Sequence, residues 1–521
     1  MPGDFTVAEV LRRQARSRGS HPLLVCDAER ISYADADARS AELARGLVAL
    51  GAGKGTHVGV LYPNGPDFVI AMLGAARIGA VVVPFSTFVT AREMREQLVD
   101  SDAEILLAAR SFRSHDYAQR LAEILSDADL ESRVFSPAAP QLRHVAISHG
   151  PVYERGGSVD PALLDAMESD VCGCDPLAIV YTSGSTSTPK GVVHTHTALL
   201  GHQRNLNMIR GLTAADKLFC NSPFFWIGGF AFGVLATVVA GSTLVCSNAS
   251  DAGAILDLLE AEKPTMTNGF VAGIAHLADH LSYAERDLSS TRRGNLYPIM
   301  APDTRPADPE LRHNMLGMTE AGSVVLIGDD ESDQPEVRRG SFGEPAPGFD
   351  TMVVDTDTGR RVAIGEVGEL CIRGPYVMQG YHKRAREECF DADGWLHTGD
   401  LVRTDADGFV YFVGRLHAMI KTAGANVSPA EVERAITKVT GGVPAYVVGL
   451  PDARRGHLVA AVLVCPDGAA AYDDAALRER LKSELSVYKI PRRFVTVARA
   501  DVPLMSSGKV DMRRLRKLFD A

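Results

Sequence analysis

The sequence predicts an α/β protein: a large N-terminal domain of layered helices and parallel sheets with a small β-region, then a small α+β C-terminal domain. Three observations carry this. Between Ile31 and Ala109 helical apolar patterns alternate with short β-branched runs, and strands separated by helices imply βαβ units in a largely parallel sheet. From Phe342 to Gly414 alternating runs are separated by Asp357-Thr358-Gly359 and Asp407-Gly408, which read as hairpin turns. After Gly414 a compact α+β pattern follows. At 521 residues the chain also exceeds what one hydrophobic core supports.

The elements follow in order. Val7, Val10, Leu11 and Gln14 place an amphipathic helix at the start, with no apolar export segment. Ala41–Leu50, Phe68–Ile78 and Leu199–Ile209 read as helices. His57–Leu61, Ala80–Pro84 and Leu177–Tyr181 read as buried strands. The polar, Pro/Gly-containing stretch Ser136–Pro161 reads as surface loop. Beyond Gly414, helices are expected at Pro429–Val439 and Ala475–Leu485, with strands at Ala445–Gly449 and Leu458–Val464. The division is therefore 1–414, a hinge at 415–420, and 421–521.

Composition excludes several classes. The formal charge is −11 with no long basic run, so a nucleic-acid binder is disfavoured. The basic cluster at Arg513, Arg514, Arg516 and Lys517 reads as a solvated helix face. The most apolar stretches, Val69–Pro84 and Gly228–Gly241, are broken by glycine and too short to span a bilayer. No membrane association and a cytoplasmic location are expected. Eight cysteines are scattered, and only Cys172 and Cys174 are close. Free thiols in a reducing compartment are the expectation, since one C-x-C without a second pair is a weak metal signal.

Tyr181 to Gly191, YTSGSTSTPKG, is the most informative stretch. Hydroxyl residues, a glycine and a lysine follow directly on a buried strand. Such a loop can wrap anionic oxygens with backbone N–H groups and hydroxyls while one ammonium balances charge. The order differs from G-x-x-x-x-G-K-[ST], so this is a different phosphate loop. A Ser/Thr-rich linker would not sit between the apolar runs Leu177–Val180 and Val192–Val193.

The loop resembles the signature of the adenylate-forming (AMP-binding) superfamily, closest in type to acyl-CoA synthetases. Four more motifs follow in the family's order: Gly317-Met318-Thr319-Glu320, Trp395 to Asp400 (WLHTGD), Tyr411 to Gly424 (YFVGRLHAMIKTAG) and Met505 to Val510 (MSSGKV). The resemblance implies an ATP-dependent enzyme that activates a carboxylic acid as acyl-AMP, releases pyrophosphate and passes the acyl group to coenzyme A. It assigns Thr182, Ser183, Gly184, Ser185, Thr186 and Lys190 to the phosphates, Thr319 to the α-phosphate and Glu320 to Mg²⁺. It assigns Asp400 and Arg415 to the ribose, and Lys509 to a mobile C-terminal domain that swings it in for adenylation. Gly317 and Met318 would border the acid, and Lys421, Ala423 and Gly424 the thiol path. The chemistry agrees: a carboxylate attacking a phosphate needs cations, a metal and a ribose anchor, and Mg²⁺ takes carboxylate plus phosphate oxygens.

The chain also departs from the family. The glycine-rich adenine segment is not recognisable in Asn295–Pro306, Leu316 replaces an aromatic, Ala418 occupies the hinge, and Trp226 stands where relatives carry His or Asp. No acid lies between Pro223 and Thr237, so an α-ammonium would have no partner. Phe225, Trp226, Gly228, Gly229 and Phe270 are the expected pocket. The paired glycines are expected to leave room at its wall for an aromatic, alicyclic or other apolar acid. Three further readings stand beside this one: loading of a carrier-protein thiol, AMP activation for another end such as nitrite-dependent diazotisation, and a non-catalytic nucleotide binder.

Overall fold

The computed structural model describes residues 5–182, 190–356, 358–416, 420–465, 472–503 and 510–520. They fall into two compact units, one formed by residues 1–87, 98–181 and 191–416, the other by 88–97, 182–190 and 417–521.

The first unit is built on two sheets. A seven-stranded sheet runs Gly380–Tyr381, Lys190–Thr195, Pro176–Thr182, Val81–Pro84, His57–Leu61, Ile105–Ala108, His144–Ile147. Its last five strands pair in parallel. A six-stranded sheet runs Arg293–Gly294, Met266–Asn268, Lys217–Cys220, Thr243–Cys246, Pro22–Cys26, Glu29–Ser32, parallel except at the last strand. Parallel strands buried on both faces read as continuous apolar runs, and Val81–Pro84 and Ile105–Ala108 are buried at every position.

Local signals set the helix starts. Thr6 with Glu9, and Ser32 with Asp35, form capping boxes that begin Val7–Arg18 and Tyr33–Ala49. Helix Pro66–Arg77 is buried all round from Phe68 to Arg77, as its apolar run Phe68–Ala76 requires.

The stretch Ser136–Pro161 is not simply loop. It supplies the edge strand His144–Ile147 and the helix Gly150–Gly156. A Cβ on Gly46 would stand 2.1 Å from the Val152 carbonyl oxygen. Glycine thus lets the two helices touch, a contact no local pattern announces.

The cysteine expectation also changes. Cys172 and Cys174 are joined as a disulfide. The Asp175 carboxylate accepts from Cys172 N at 2.8 Å and folds the chain back between the two sulfurs. The other six cysteines are free.

The small β-region is a four-stranded antiparallel sheet of Asp350–Val354, Gly368–Arg373, Leu396–Thr404 and Val410–Arg415. Asp405 and Gly408 (φ +94°) turn the last pair. The other turn includes Asp357, which lies outside the described residues.

In the second unit, strand Gly456–Cys465 is central, antiparallel to Ala445–Asp452 and parallel to Arg493–Ala498. Helices Pro429–Val439 and Asp474–Leu481 cover one face through Val432, Ile436, Leu477 and Leu481. Leu515 and Phe519 cover the other. Among the described residues no helix is long and apolar enough to cross a membrane.

Candidate active site

The phosphate loop leaves the seven-stranded sheet at Thr182 and returns at Lys190. Ser183, Gly184, Ser185 and Thr186 lie outside the described residues. Just beyond the loop, a Cβ on Gly191 would meet Ile179 Cγ2 at 2.6 Å and the Tyr181 ring at 3.1 Å. The glycine is what lets the departing and returning strands cross so closely. Tyr181 donates its hydroxyl to Asp100 Oδ2 at 2.6 Å, and burial together with that carboxylate pushes its pKa up.

Thr319 and Glu320 sit in a tight turn, Thr319–Ala321, between the antiparallel strands Leu316–Met318 and Ser323–Ile327. Gly322, at φ +66°, closes it. A Cβ on Gly317 would stand 2.9 Å from the Ser323 carbonyl oxygen, so the motif glycine permits the close pairing. Buried polar groups fasten the turn. His194 donates Nε2–H to the Thr319 carbonyl at 2.7 Å, and His202 donates to the Val324 carbonyl at 2.8 Å. Gln203 donates to Ser323 Oγ at 3.0 Å. Burial lowers the pKa of both histidines to about 4, which leaves them neutral and fixes Nε2 as the protonated nitrogen. The Glu320 carboxylate accepts from the Tyr381 hydroxyl at 2.9 Å. The sequence offered no sign of His194, His202 or Tyr381 as site-positioning residues, since none belongs to a motif.

Asp400 stands directly opposite Arg415 in the antiparallel ladder, with Arg415 Nε 2.7 Å from Asp400 Oδ1. The Asp400 side chain is 1% exposed. Thr398 Oγ1 accepts from Asp400 N at 3.1 Å and itself donates to the Leu370 carbonyl at 2.7 Å. Gly399 N donates to Glu369 Oε1 at 2.9 Å. The Thr-Gly-Asp run is thus pinned residue by residue, and its aspartate is paired with a guanidinium before any ligand arrives.

Three aromatic side chains lie side by side. The Phe225 and Trp226 rings are 5.4 Å apart and Trp226 and Phe270 5.6 Å apart, both edge-on. Trp226 and Phe270 are half-buried, while Phe224, Phe230 and Phe232 are core. Two asparagines the sequence did not flag hold the wall. Asn64 donates to the Ser222 carbonyl and accepts from Phe224 N, and Asn221 does the same for Phe270 O and Phe270 N.

Gly229 does not act as expected. A Cβ on Gly229 would stand 2.1 Å from the Pro223 carbonyl oxygen and 2.9 Å from Phe224 Cα. The missing side chain is replaced by the chain itself, a close turn rather than open pocket. A Cβ on Gly228, by contrast, would meet Ser222 Oγ only at 3.7 Å, an ordinary contact.

Ala423 and Gly424 form the exposed turn between strands Ile420–Thr422 and Ala425–Val427, with Ala423 at φ +48°, and Lys421 is an exposed residue of the first strand, opposite Asn426. His417 and Ala418 in the hinge, and Lys509, lie outside the described residues.

The AMP-binding enzyme model matches residues 11–382, and the AMP-binding enzyme C-terminal domain model matches residues 431–509. The chain belongs to the AMP-binding enzyme family. Curated relatives in this family resemble it over nearly their full length. A feruloyl-CoA synthase of an Amycolatopsis species is 32% identical, covering 94% of each chain. A putative acyl-CoA synthetase of Bacillus subtilis is 30% identical, covering 94% of this chain and 92% of the relative. A ligase of Mycobacterium tuberculosis that acts on a methyl-dioxo-octahydroindenyl propanoate is 30% identical, covering 98% and 99%. Two solved structures share the fold: an o-succinylbenzoate CoA synthetase of Bacillus subtilis (TM-score 0.76, 24% identity, 98% of each chain), and an amide bond synthetase of Marinactinospora thermotolerans (0.78, 23%, 99% and 100%). Family and relatives together make this AMP-binding chain an adenylate-forming acid–thiol ligase of the acyl-CoA synthetase type.

Proposed function

We propose that the enzyme activates an aromatic or alicyclic carboxylic acid with ATP and transfers the acyl group to coenzyme A. The observation that carries the choice of acid is the edge-on Phe225–Trp226–Phe270 wall in a segment with no acidic side chain between Pro223 and Thr237. Flat or bulky apolar groups suit such a wall, whereas a free amino acid would bury its ammonium unpaired. The feruloyl and indenyl-propanoate relatives support the same class of acid.

In this reading Thr182, Ser183, Gly184, Ser185, Thr186 and Lys190 take the phosphates, Thr319 the α-phosphate, and Asp400 with Arg415 the ribose. Glu320 would hold Mg²⁺. A carboxylate aimed by a tyrosine hydroxyl is a hard oxygen donor and fits that ion, which supplies charge neutralisation at the phosphates. Lys509, on residues 421–521, supplies a second cation during adenylation, and a hinge at 415–420 carries it to and fro. A point charge on a flexible stem suits such a role. Lys421, Ala423 and Gly424 border the thiol path, and the enzyme works in the cytoplasm.

The test is pyrophosphate release against a panel of acids, with and without coenzyme A. Acid-dependent release with consumption of the thiol supports the reading. Release without thiol consumption would move the second half-reaction to a carrier protein or another acceptor. Efficient release with free amino acids would overturn the choice of acid.

A further inference from the structure

A cavity in the first unit opens beside the ends of strands Met266–Asn268 and Arg293–Gly294. Its lining is mixed: Phe232, Met266 and Ile327 are apolar, and Arg210, Arg312 and Asp330 are charged. It is reached by the same three segments that carry the proposed acid pocket. Phe232 follows Trp226 in the same turn-and-helix segment, Asn268 precedes Phe270 by two residues, and Met315 precedes Gly317 by two.

Of its two arginines, Arg312 is paired with Asp333, whereas Arg210 has no ion pair among the described residues. It caps the helix His196–Ile209, and its guanidinium lies flat over Phe232, 3.9 Å from the ring centroid. Nη2 donates to Asn207 Oδ1 at 3.1 Å and to the Phe232 carbonyl at 3.2 Å. Nε is cut off from solvent without an acceptor. Among the described residues Arg210 makes no ion pair, although guanidinium offers five donors in a rigid fork. The neighbouring charges are committed elsewhere: Arg293 to Asp216, Arg312 to Asp333, and Asp330 to Ser332 and Gln334. Cys220 and the exposed Glu331 act on it electrostatically without pairing with it among the described residues. Burial lowers its pKa to about 9, so it remains a cation at neutral pH. Arg210 is part-buried, and a guanidinium with donors left over there gains from a ligand oxygen that completes its fork.

We infer that Arg210 reads a second oxygen acceptor on the acid, a carboxylate, sulfonate or ring ketone at the end remote from the reacting carboxyl. The inference rests on the acid-activating reading and narrows its substrate class to ring acids with a distal acceptor oxygen. Arg210 is then a specificity-determining residue rather than a catalytic one.

Three acids on one ring test this: cyclohexanecarboxylate, 4-oxocyclohexanecarboxylate and cyclohexane-1,4-dicarboxylate. Pyrophosphate release by the full-length wild type should favour one of the oxygen-bearing acids by roughly 10–100-fold in kcat/KM, the size of a hydrogen bond to a charged group. Which of the two wins separates ketone from carboxylate recognition. In Arg210→Met the ratio should fall to about one, and Arg210→Lys should lie between, with circular dichroism confirming the fold. Equal use of all three acids by the wild type, or a preference that survives in a folded Arg210→Met, overturns the role of Arg210 and leaves acid activation standing. Absence of pyrophosphate release from every acid overturns both.

Discussion

The Tyr381 hydroxyl donates to the Glu320 carboxylate across 2.9 Å, linking a residue of no motif to the acid proposed to hold the metal. A carboxylate aimed by one fixed donor keeps its orientation without loss of charge. Tyr381→Phe should therefore raise the Mg²⁺ concentration for half-maximal adenylation by about 3–10-fold, the net worth of one such bond. Glu320→Gln should raise it further, because the charge itself is lost. An unchanged Mg²⁺ titration in Glu320→Gln removes Glu320 from the metal.

Arg415 and Asp400 make a pair whose acid is almost fully enclosed. Removing the cation strips an enclosed carboxylate of its guanidinium, a loss of up to about 3–5 kcal/mol. Arg415→Ala should therefore melt earlier and bind ATP more weakly. Arg415→Lys should restore much of the stability and less of the ATP affinity, since ammonium lacks the planar fork. Calorimetry and nucleotide titration on both variants separate the two roles.

Gly229 and Trp226 are neighbours with opposite expected behaviour. Gly229→Ala drives a methyl into the Pro223 carbonyl and should lower stability by about 1–3 kcal/mol or more. Trp226→Ala should leave the melting temperature nearer wild type while shifting ring-size preference more than KM for ATP. A Trp226→Ala enzyme with unaltered acid selectivity would remove that indole from the pocket.

His194, His196 and His202 are buried, each with its pKa lowered to about 4 by desolvation. The unfolded chain titrates these groups near 6.5, so it binds more protons than the folded one between pH 6.5 and 4. Their contribution is complete above about pH 6.5 and is lost as the pH falls toward 4, roughly 3 kcal/mol apiece at most. Melting temperature should drop steeply across that window. His202→Gln should flatten the slope in a calorimetric pH series. An equal slope in the variant would place the titration elsewhere.

Lys509→Ala should cut acyl-AMP formation by roughly two to three orders of magnitude, the cost of deleting one preplaced charge from a transition state. Thioester formation from preformed acyl-AMP should suffer far less. Equal loss in both half-reactions, followed by rapid quench, would argue against alternation of the C-terminal domain.

The sequence by itself determined the parallel α/β class, the antiparallel β-region and the motifs on which the proposed nucleotide site rests. These are local properties: periodicity, turn residues, and hydroxyl, glycine and acid groups in fixed short spacings. Tyr181 to Gly191 and Trp395 to Asp400 could be read for that reason. Only the tertiary structure decided what holds those groups. His194, His202 and Tyr381 reach the Thr319–Ile327 region from 61 to 125 residues away, and Asn64 reaches the aromatic wall from 158 and 160. Such partners leave no periodic trace, because one hydrogen bond asks nothing of its sequence neighbours. The same holds for Gly46 and Gly229, whose spaces are filled by distant or folded-back backbone. It holds for Arg210 too, a plain basic residue at a helix end until the packing encloses its guanidinium against Phe232. Local chemistry is written in spacing, whereas burial is a property of the assembled chain.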